Sequence, residues 1–178
     1  MPTSRLKKSR APTGRAGPDA LPRAALQVCI QIACRAQAVP TARQLRRWAR
    51  AASSDPAELT LRVVGAPEAR KLNAAYRRRD YATNVLSFSY GKQKPGAGLP
   101  VLGDVVLCHP VIARQAREQG KSLAAHYAHM VVHGVLHLGG LDHRSAGEAR
   151  LMEARERRIL HALGVADPYQ PRMRSSIE

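Results

Sequence analysis

From Ala25 to Cys34 the apolar Leu26, Val28, Ile30 and Ile32 alternate with Gln27, Cys29 and Gln31, the period of a half-buried strand. Pro40-Thr41 opens a helix to about Ala52, with Leu45, Trp48 and Ala49 on one stripe and Arg43, Arg46, Arg47 and Arg50 elsewhere. Trp48 falls on that stripe and therefore reads as core rather than as a base-stacking platform. Beyond the turn Ser53-Ser54-Asp55-Pro56, alternation through Leu59, Leu61 and Val63 predicts a strand from Glu58 to Val64. Pro67 starts a helix to about Arg78, with Leu72, Ala75 and Tyr76 inward, and Val85 to Ser89 is the next strand. Gly91 to Pro100 is a patternless Gly/Pro/Lys loop, and Leu102 to Cys108 a fourth strand. Pro110 begins a helix to about Gln119 that Gly120 closes, and Ser122 caps the following one. Ser145-Ala146-Gly147-Glu148 is a capping box. It opens a helix to about Leu163, with Leu151, Met152, Ile159 and Leu160 inward and Gly164 as its stop. The pattern predicts an α+β fold, a small mixed sheet of about four strands covered by about five helices.

Periodicity also sets the expected domain limits. Residues 1–24 are rich in Arg, Lys, Pro, Ser and Gly and read as a disordered basic arm; residues 25–164 form one domain, and 165–178 a flexible tail. The arm has no apolar h-region, so it is not a secretory signal, although its acid-poor, Arg- and Ser-containing start also fits a transit peptide. The net charge of +16, from 29 basic and 13 acidic residues, favours a polyanionic partner, nucleic acid being the commonest. No apolar run is long enough to span a bilayer, so no membrane partner is expected. Cys29, Cys34 and Cys108 are odd in number, make no CxxC pair and sit in apolar surroundings; they read as small core hydrophobes in a reducing, cytoplasmic compartment.

The candidate chemistry lies in the helix after Ser122. His126, His129, His133 and His137 recur at i, i+3, i+7 and i+11, so one stripe carries all four. His129 and His137 are about 12 Å apart along the axis at ~1.5 Å per residue, too far to share an ion with His133 in an intact helix. His133 and His137 are one turn apart, and Gly139-Gly140 ends the helix so that His143 can approach from the other side. Three histidines with an open fourth position are the arrangement of catalytic zinc. His126 and His129 are then supporting, substrate-facing or ordinary polar residues at the mouth of the site.

The spacing His-x3-His-x5-His copies the metzincin protease framework H-E-x-x-H-x-x-G-x-x-H, but Gly134 stands where that chemistry needs its Glu. Without the base, proton-transfer catalysis should fall by about 10²-fold or more, so peptide hydrolysis is the minor alternative. The run Arg77-Arg78-Arg79 at a helix end is either a solvated face complementing the helix dipole or a phosphate clamp, and spacing alone does not decide. A metal-bound water in a strongly basic protein with arginines at hand argues for phosphodiester hydrolysis.

Three blocks resemble a known family. His133 to His143 is similar to the H-G-x-L-H-L-x-G-x-D-H signature of the YbeY family, bacterial metal-dependent endoribonucleases of ribosomal RNA maturation. Leu72-Asn73-Ala74-Ala75-Tyr76-Arg77, Asp80 and Thr83-Asn84-Val85-Leu86-Ser87-Phe88 resemble its L-N-x-x-Y-R-x-x-D-x-x-T-[DN]-V-L-S-F block, and Leu102 to Cys108 its L-G-D strand. Ser89 and Leu141 depart from it, where Pro and Tyr are frequent. The resemblance implies His133, His137 and His143 as ligands of one zinc ion in a basic cleft, and Arg77 as the functional arginine. It also implies cleavage of single-stranded RNA, 16S rRNA 3′ end maturation on pre-16S rRNA and ribosome quality control. Small-subunit ribosomal proteins and an assembly GTPase are the implied partners. Asp142, beside His143, is expected to hold a ligand imidazole or accept a proton. The rival expectation is a zinc-stabilised ribosome-assembly binding factor with little catalysis of its own, which the basic charge fits equally well.

Overall fold

The computed structural model describes residues 26–53, 57–91, 101–142 and 144–170. The basic arm, the turn residues 54–56, the loop over 92–100, His143 and residues 171–178 lie outside the described residues. Four strands, β1 (Gln27–Ile32), β2 (Ala57–Val64), β3 (Val85–Ser89) and β4 (Val101–Cys108), form one sheet in the order β1-β2-β4-β3. β1 and β2 are parallel, as are β2 and β4, whereas β3 runs antiparallel to β4 with Ser87 opposite Val105. The helices are α1 (Ala42–Ala52), α2 (Ala66–Arg77), α3 (His109–Glu118), α4 (Leu123–Leu138) and α5 (Ala146–Ala162). The architecture is the expected α+β fold, a mixed sheet with five helices among the described residues.

Local chemistry explains where the elements start. Thr41 Oγ1 accepts from Gln44 N at 3.3 Å while Gln44 Oε1 accepts from Thr41 N at 2.9 Å, a reciprocal capping box on α1. Ser145 and Glu148 form the same box on α5, as expected. Alternation then divides the sheet into two faces. Leu59, Leu61, Val63, Val105 and Leu107 join Leu45 and Trp48 of α1, Tyr127, Val131 and Val135 of α4, and Met152 and Leu160 of α5 in the larger core. Val64, Val106 and Cys108 meet Ala69 of α2, Leu86 and Val111 in a smaller core on the opposite face.

Four expectations are corrected. On α2 the buried residues are Ala69 and Asn73, with Leu72 half-buried, while Ala75 is exposed and Tyr76 is 68% exposed. The inward stripe contains a polar residue, which hid it from a hydrophobic reading: Asn73 Nδ2 donates to Tyr81 O at 2.8 Å. Tyr76 instead packs its ring edge-on against Phe88, 4.9 Å between centroids. On α5, Leu151 is exposed, and Met152, Glu156 and Leu160 are the buried residues at four-residue spacing. On β1, Ile32 and Cys29 are exposed and only Cys108 of the three cysteines is fully buried, because β1 is an edge strand with a single neighbour. Residues 165–170, read as the start of a loose tail, are held against the helices. Val165 packs on the core, Lys121 Nζ donates to Pro168 O at 2.7 Å, and Arg157 Nε pairs with Asp167 Oδ2 at 3.3 Å. No helix among the described residues is long and apolar enough to cross a membrane.

Candidate metal centre

Helix α4 starts where Ser122 Oγ accepts from Ala125 N at 3.2 Å, and it runs for 16 residues between the sheet and α5. Its apolar residues are drawn to the larger core, which turns the histidine stripe towards α5 and the C-terminal segment. The imidazole centroids follow one another at 6.2 Å (His126 to His129), 6.3 Å (His129 to His133) and 4.7 Å (His133 to His137), the single stripe that the spacing predicts. The helix stops at the two glycines. Gly139 keeps φ −74 and Gly140 takes φ +86, so the second glycine makes the left-handed turn. Gly140 N donates to His137 O and Leu141 N to Leu136 O, at 3.0 and 3.1 Å, and Leu141 is buried in the core behind the turn.

Gly134 has a use of its own. A Cβ there would lie 2.6 Å from Val105 Cγ1 and 3.2 Å from Ser87 Oγ, and Ser87 Oγ donates to Gly134 O at 3.1 Å. The histidine helix therefore rests directly on β3 and β4, with no room at this position for the glutamate of a metzincin.

The sequence reading missed Glu156. Its carboxylate has no solvent exposure and accepts from His133 Nδ1 at 2.8 Å through Oε1. Through Oε2 it accepts from His129 Nε2 at 3.1 Å and from the Tyr169 hydroxyl. Burial by itself would raise this carboxyl, but hydrogen bonds from His129, His133 and Tyr169 outweigh it and hold the group at about 2. Burial, and then the adjacent Glu156 carboxylate, push the Tyr169 phenol up. One signal was available: Glu156 stands midway between Met152 and Leu160, so a helix that buries both must bury it too.

Donor atoms of His129, His133 and Glu156 all lie within 4.8 Å of one another, so the group can hold a metal ion. His137, half-buried, puts its ring against His133; His143 lies outside the described residues. The donor chemistry fits a metal. A ligating histidine commonly donates its other ring N–H to a carboxylate, and His133 Nδ1 does so to Glu156. Asp142 pairs with Arg144, Oδ2 to Nε at 2.6 Å.

His126 is buried with Nε2 3.1 Å from Gln115 Oε1, which also accepts from Asn84 Nδ2 at 3.1 Å. That shared oxygen joins the Thr83-Asn84 corner to the histidine helix, a link that periodicity does not carry. Burial first, then His129 and Lys121, lower His126 to about 4. Arg77 is the exposed last residue of α2, a helix that packs on the sheet face opposite α4, and among the described residues it makes no hydrogen bond or ion pair with a histidine. Its neighbours build the corner. Arg78 adopts φ +57 as the helix cap, Arg79 Nη1 donates to Tyr81 Oη at 3.2 Å, and Arg70 makes a two-pronged contact with Asp80.

A sequence model described as Endoribonuclease YbeY matches residues 31–164. A protein of Azoarcus sp. named Endoribonuclease YbeY is 56% identical over 135 residues, 74% of this chain but 54% of its own, so this chain spans about half the length of that relative. The protein of that name from Thiobacillus denitrificans is 51% identical over 144 residues, 81% of this chain and 96% of its own. A solution structure of a protein from Thermotoga maritima is similar over 79% of this chain and 99% of its own, at 20% identity and a TM-score of 0.48. With a family match across the sheet and the histidine helix, and relatives above half identity, this chain belongs to the YbeY family.

Proposed function

We propose that this chain is a zinc-dependent endoribonuclease that cuts single-stranded RNA, acting at the 3′ end of pre-16S rRNA in ribosome maturation and quality control. The observation that carries the reading is His133, whose Nδ1 is engaged by a fully buried carboxylate beside a second histidine one helical turn on, in a chain 51% identical to a protein named Endoribonuclease YbeY. His133, His137 and His143 are the ligands in this reading. Both oxygens of Glu156 already accept hydrogen bonds, which favours a supporting role for it over ligation. Zinc, when bound, supplies a Lewis acid for a phosphoryl oxygen and lowers the pKa of coordinated water.

The chain's own groups do the rest. The Arg77 guanidinium binds the scissile phosphate and neutralises charge that develops on it, while a water or the RNA 2′-hydroxyl attacks phosphorus and gives its proton to solvent. The opposite P–O ester bond breaks, its ribose oxygen taking a proton from solvent and leaving as a hydroxyl. Asp142 holds a ligand imidazole, and the net charge of +16 draws RNA to the site. Small-subunit proteins and an assembly GTPase are the proposed partners, and the cytoplasm the proposed compartment. The test is single-turnover cleavage of a labelled pre-16S fragment by folded protein. Arg77→Ala is expected to lose cleavage with its zinc content unchanged, and His137→Ala to lose both. Cleavage equal to wild type in both variants refutes the reading.

A further inference from the structure

We propose that Glu156 is a positioning residue for His133, and that Tyr169 and His129 lock it, so that the segment following α5 is part of the site's construction. A carboxylate only accepts, so the contact between His133 Nδ1 and Glu156 Oε1 at 2.8 Å fixes the imidazole as its Nδ1–H tautomer. In that tautomer Nε2 carries the ring's lone pair and is the nitrogen through which His133 would ligate a metal. Oε2 is taken by His129 Nε2 and by the Tyr169 hydroxyl, so the carboxylate cannot rotate without breaking three hydrogen bonds. It is fully buried.

Tyr169 lies past the residues matched to the family, 31–164, and is itself held from several sides. Its ring stands 5.5 Å from that of His129, the Arg157 guanidinium covers it at 4.9 Å, and its backbone N donates to Asp167 Oδ1 at 2.9 Å. The Lys121 contact to Pro168 and the Arg157 pair with Asp167 pin the same segment to α4 and α5. This proposal rests on the reading of His133 as a metal ligand. Its competitor is direct ligation by Glu156 with His129 and His133, whose donor atoms are close enough for one ion.

The experiment uses the full chain and Zn²⁺ or Co²⁺ alone. Zinc affinity is measured by competition with a chromophoric chelator, the cobalt absorption spectrum reports the donor set, and melting curves establish folding. Glu156→Gln is expected to weaken zinc binding by about 10–100-fold with the cobalt spectrum unaltered in shape. Tyr169→Phe is expected to produce a smaller loss in the same direction. A changed cobalt spectrum in Glu156→Gln makes Glu156 a ligand and overturns the positioning role, as does wild-type zinc affinity in both variants. Should Glu156→Gln not fold, Tyr169→Phe decides alone, since that residue is 37% exposed. Wild-type protein that takes up no zinc defeats the metal reading and this proposal together. Tight zinc binding without RNA cleavage defeats only the endoribonuclease reading, and the affinities still decide the role of Glu156.

Discussion

Replacing Gly134 by alanine tests how closely the histidine helix sits on the sheet. The new Cβ would lie 2.6 Å from Val105 Cγ1, 3.3 Å from Val105 Cγ2 and 3.2 Å from Ser87 Oγ, where carbon contacts normally settle at about 3.5–4.0 Å. Val105 is fully buried and β-branched, so it cannot swing aside cheaply, and α4 must retreat from β4 by roughly 1 Å. Alanine inside a helix gains about 1 kcal/mol over glycine, overpacking costs about 1–3 kcal/mol, and stretching the Ser87 to Gly134 hydrogen bond forfeits up to about 1 kcal/mol. These terms span about 0–3 kcal/mol and centre on a loss of about 1.5 kcal/mol, or roughly 3–6 °C in Tm for a chain of this size. Urea unfolding followed by circular dichroism measures it. Gly139→Ala is the control, because its Cβ meets nothing nearer than 3.4 Å and its φ is ordinary, so stability there should hold or rise slightly. A Gly134→Ala protein whose midpoint equals or exceeds wild type refutes the close-packing argument and reopens that position to a side chain.

His126 makes the fold acid-sensitive. Its folded pKa of about 4 lies below the unfolded value of ~6.5, so the unfolded chain binds more protons between these limits and stability falls as pH drops through that window. The full effect is about 3 kcal/mol; His126→Gln should flatten the slope of Tm against pH between 6.5 and 4, and an unchanged slope counts against it. Glu156 acts in a lower window, with stability lost as pH falls from about 4.5 towards 2. Asn73→Ala removes the hydrogen bond to Tyr81 O from a site only 1% exposed and is expected to cost about 1–3 kcal/mol in urea unfolding; a loss below ~0.5 kcal/mol would mean that the corner after α2 is held by other contacts.

Much of the site was legible because its signals are local. Histidines at i, i+4 must share a helical face whatever surrounds them, and the adjacent glycines mark the end of that helix. The Ser145 cap is equally local, since a hydroxyl and a Glu three residues on need only each other. Readings failed where a stripe mixed chemistries. Asn73 and Glu156 occupy inward positions of α2 and α5, and a pattern that sorts residues by hydrophobicity assigns their places to Tyr76 and Leu151.

By itself, then, the sequence determined the strand and helix segments, the histidine stripe with its glycine stop, and the family. Tertiary structure alone decided the partners across the fold. It brought α5 and the following segment against α4, so that a buried glutamate meets two histidines and a tyrosine 13 residues further on. It set β4 between β2 and β3, which puts Val105 and Ser87 beneath Gly134 and gives that glycine a packing reason as well as a chemical one. It also made β1 an edge strand, leaving Cys29 and Ile32 exposed. The physical reason is range: periodicity and capping act within a few residues, whereas the worth of a buried charge depends on which distant groups close around it.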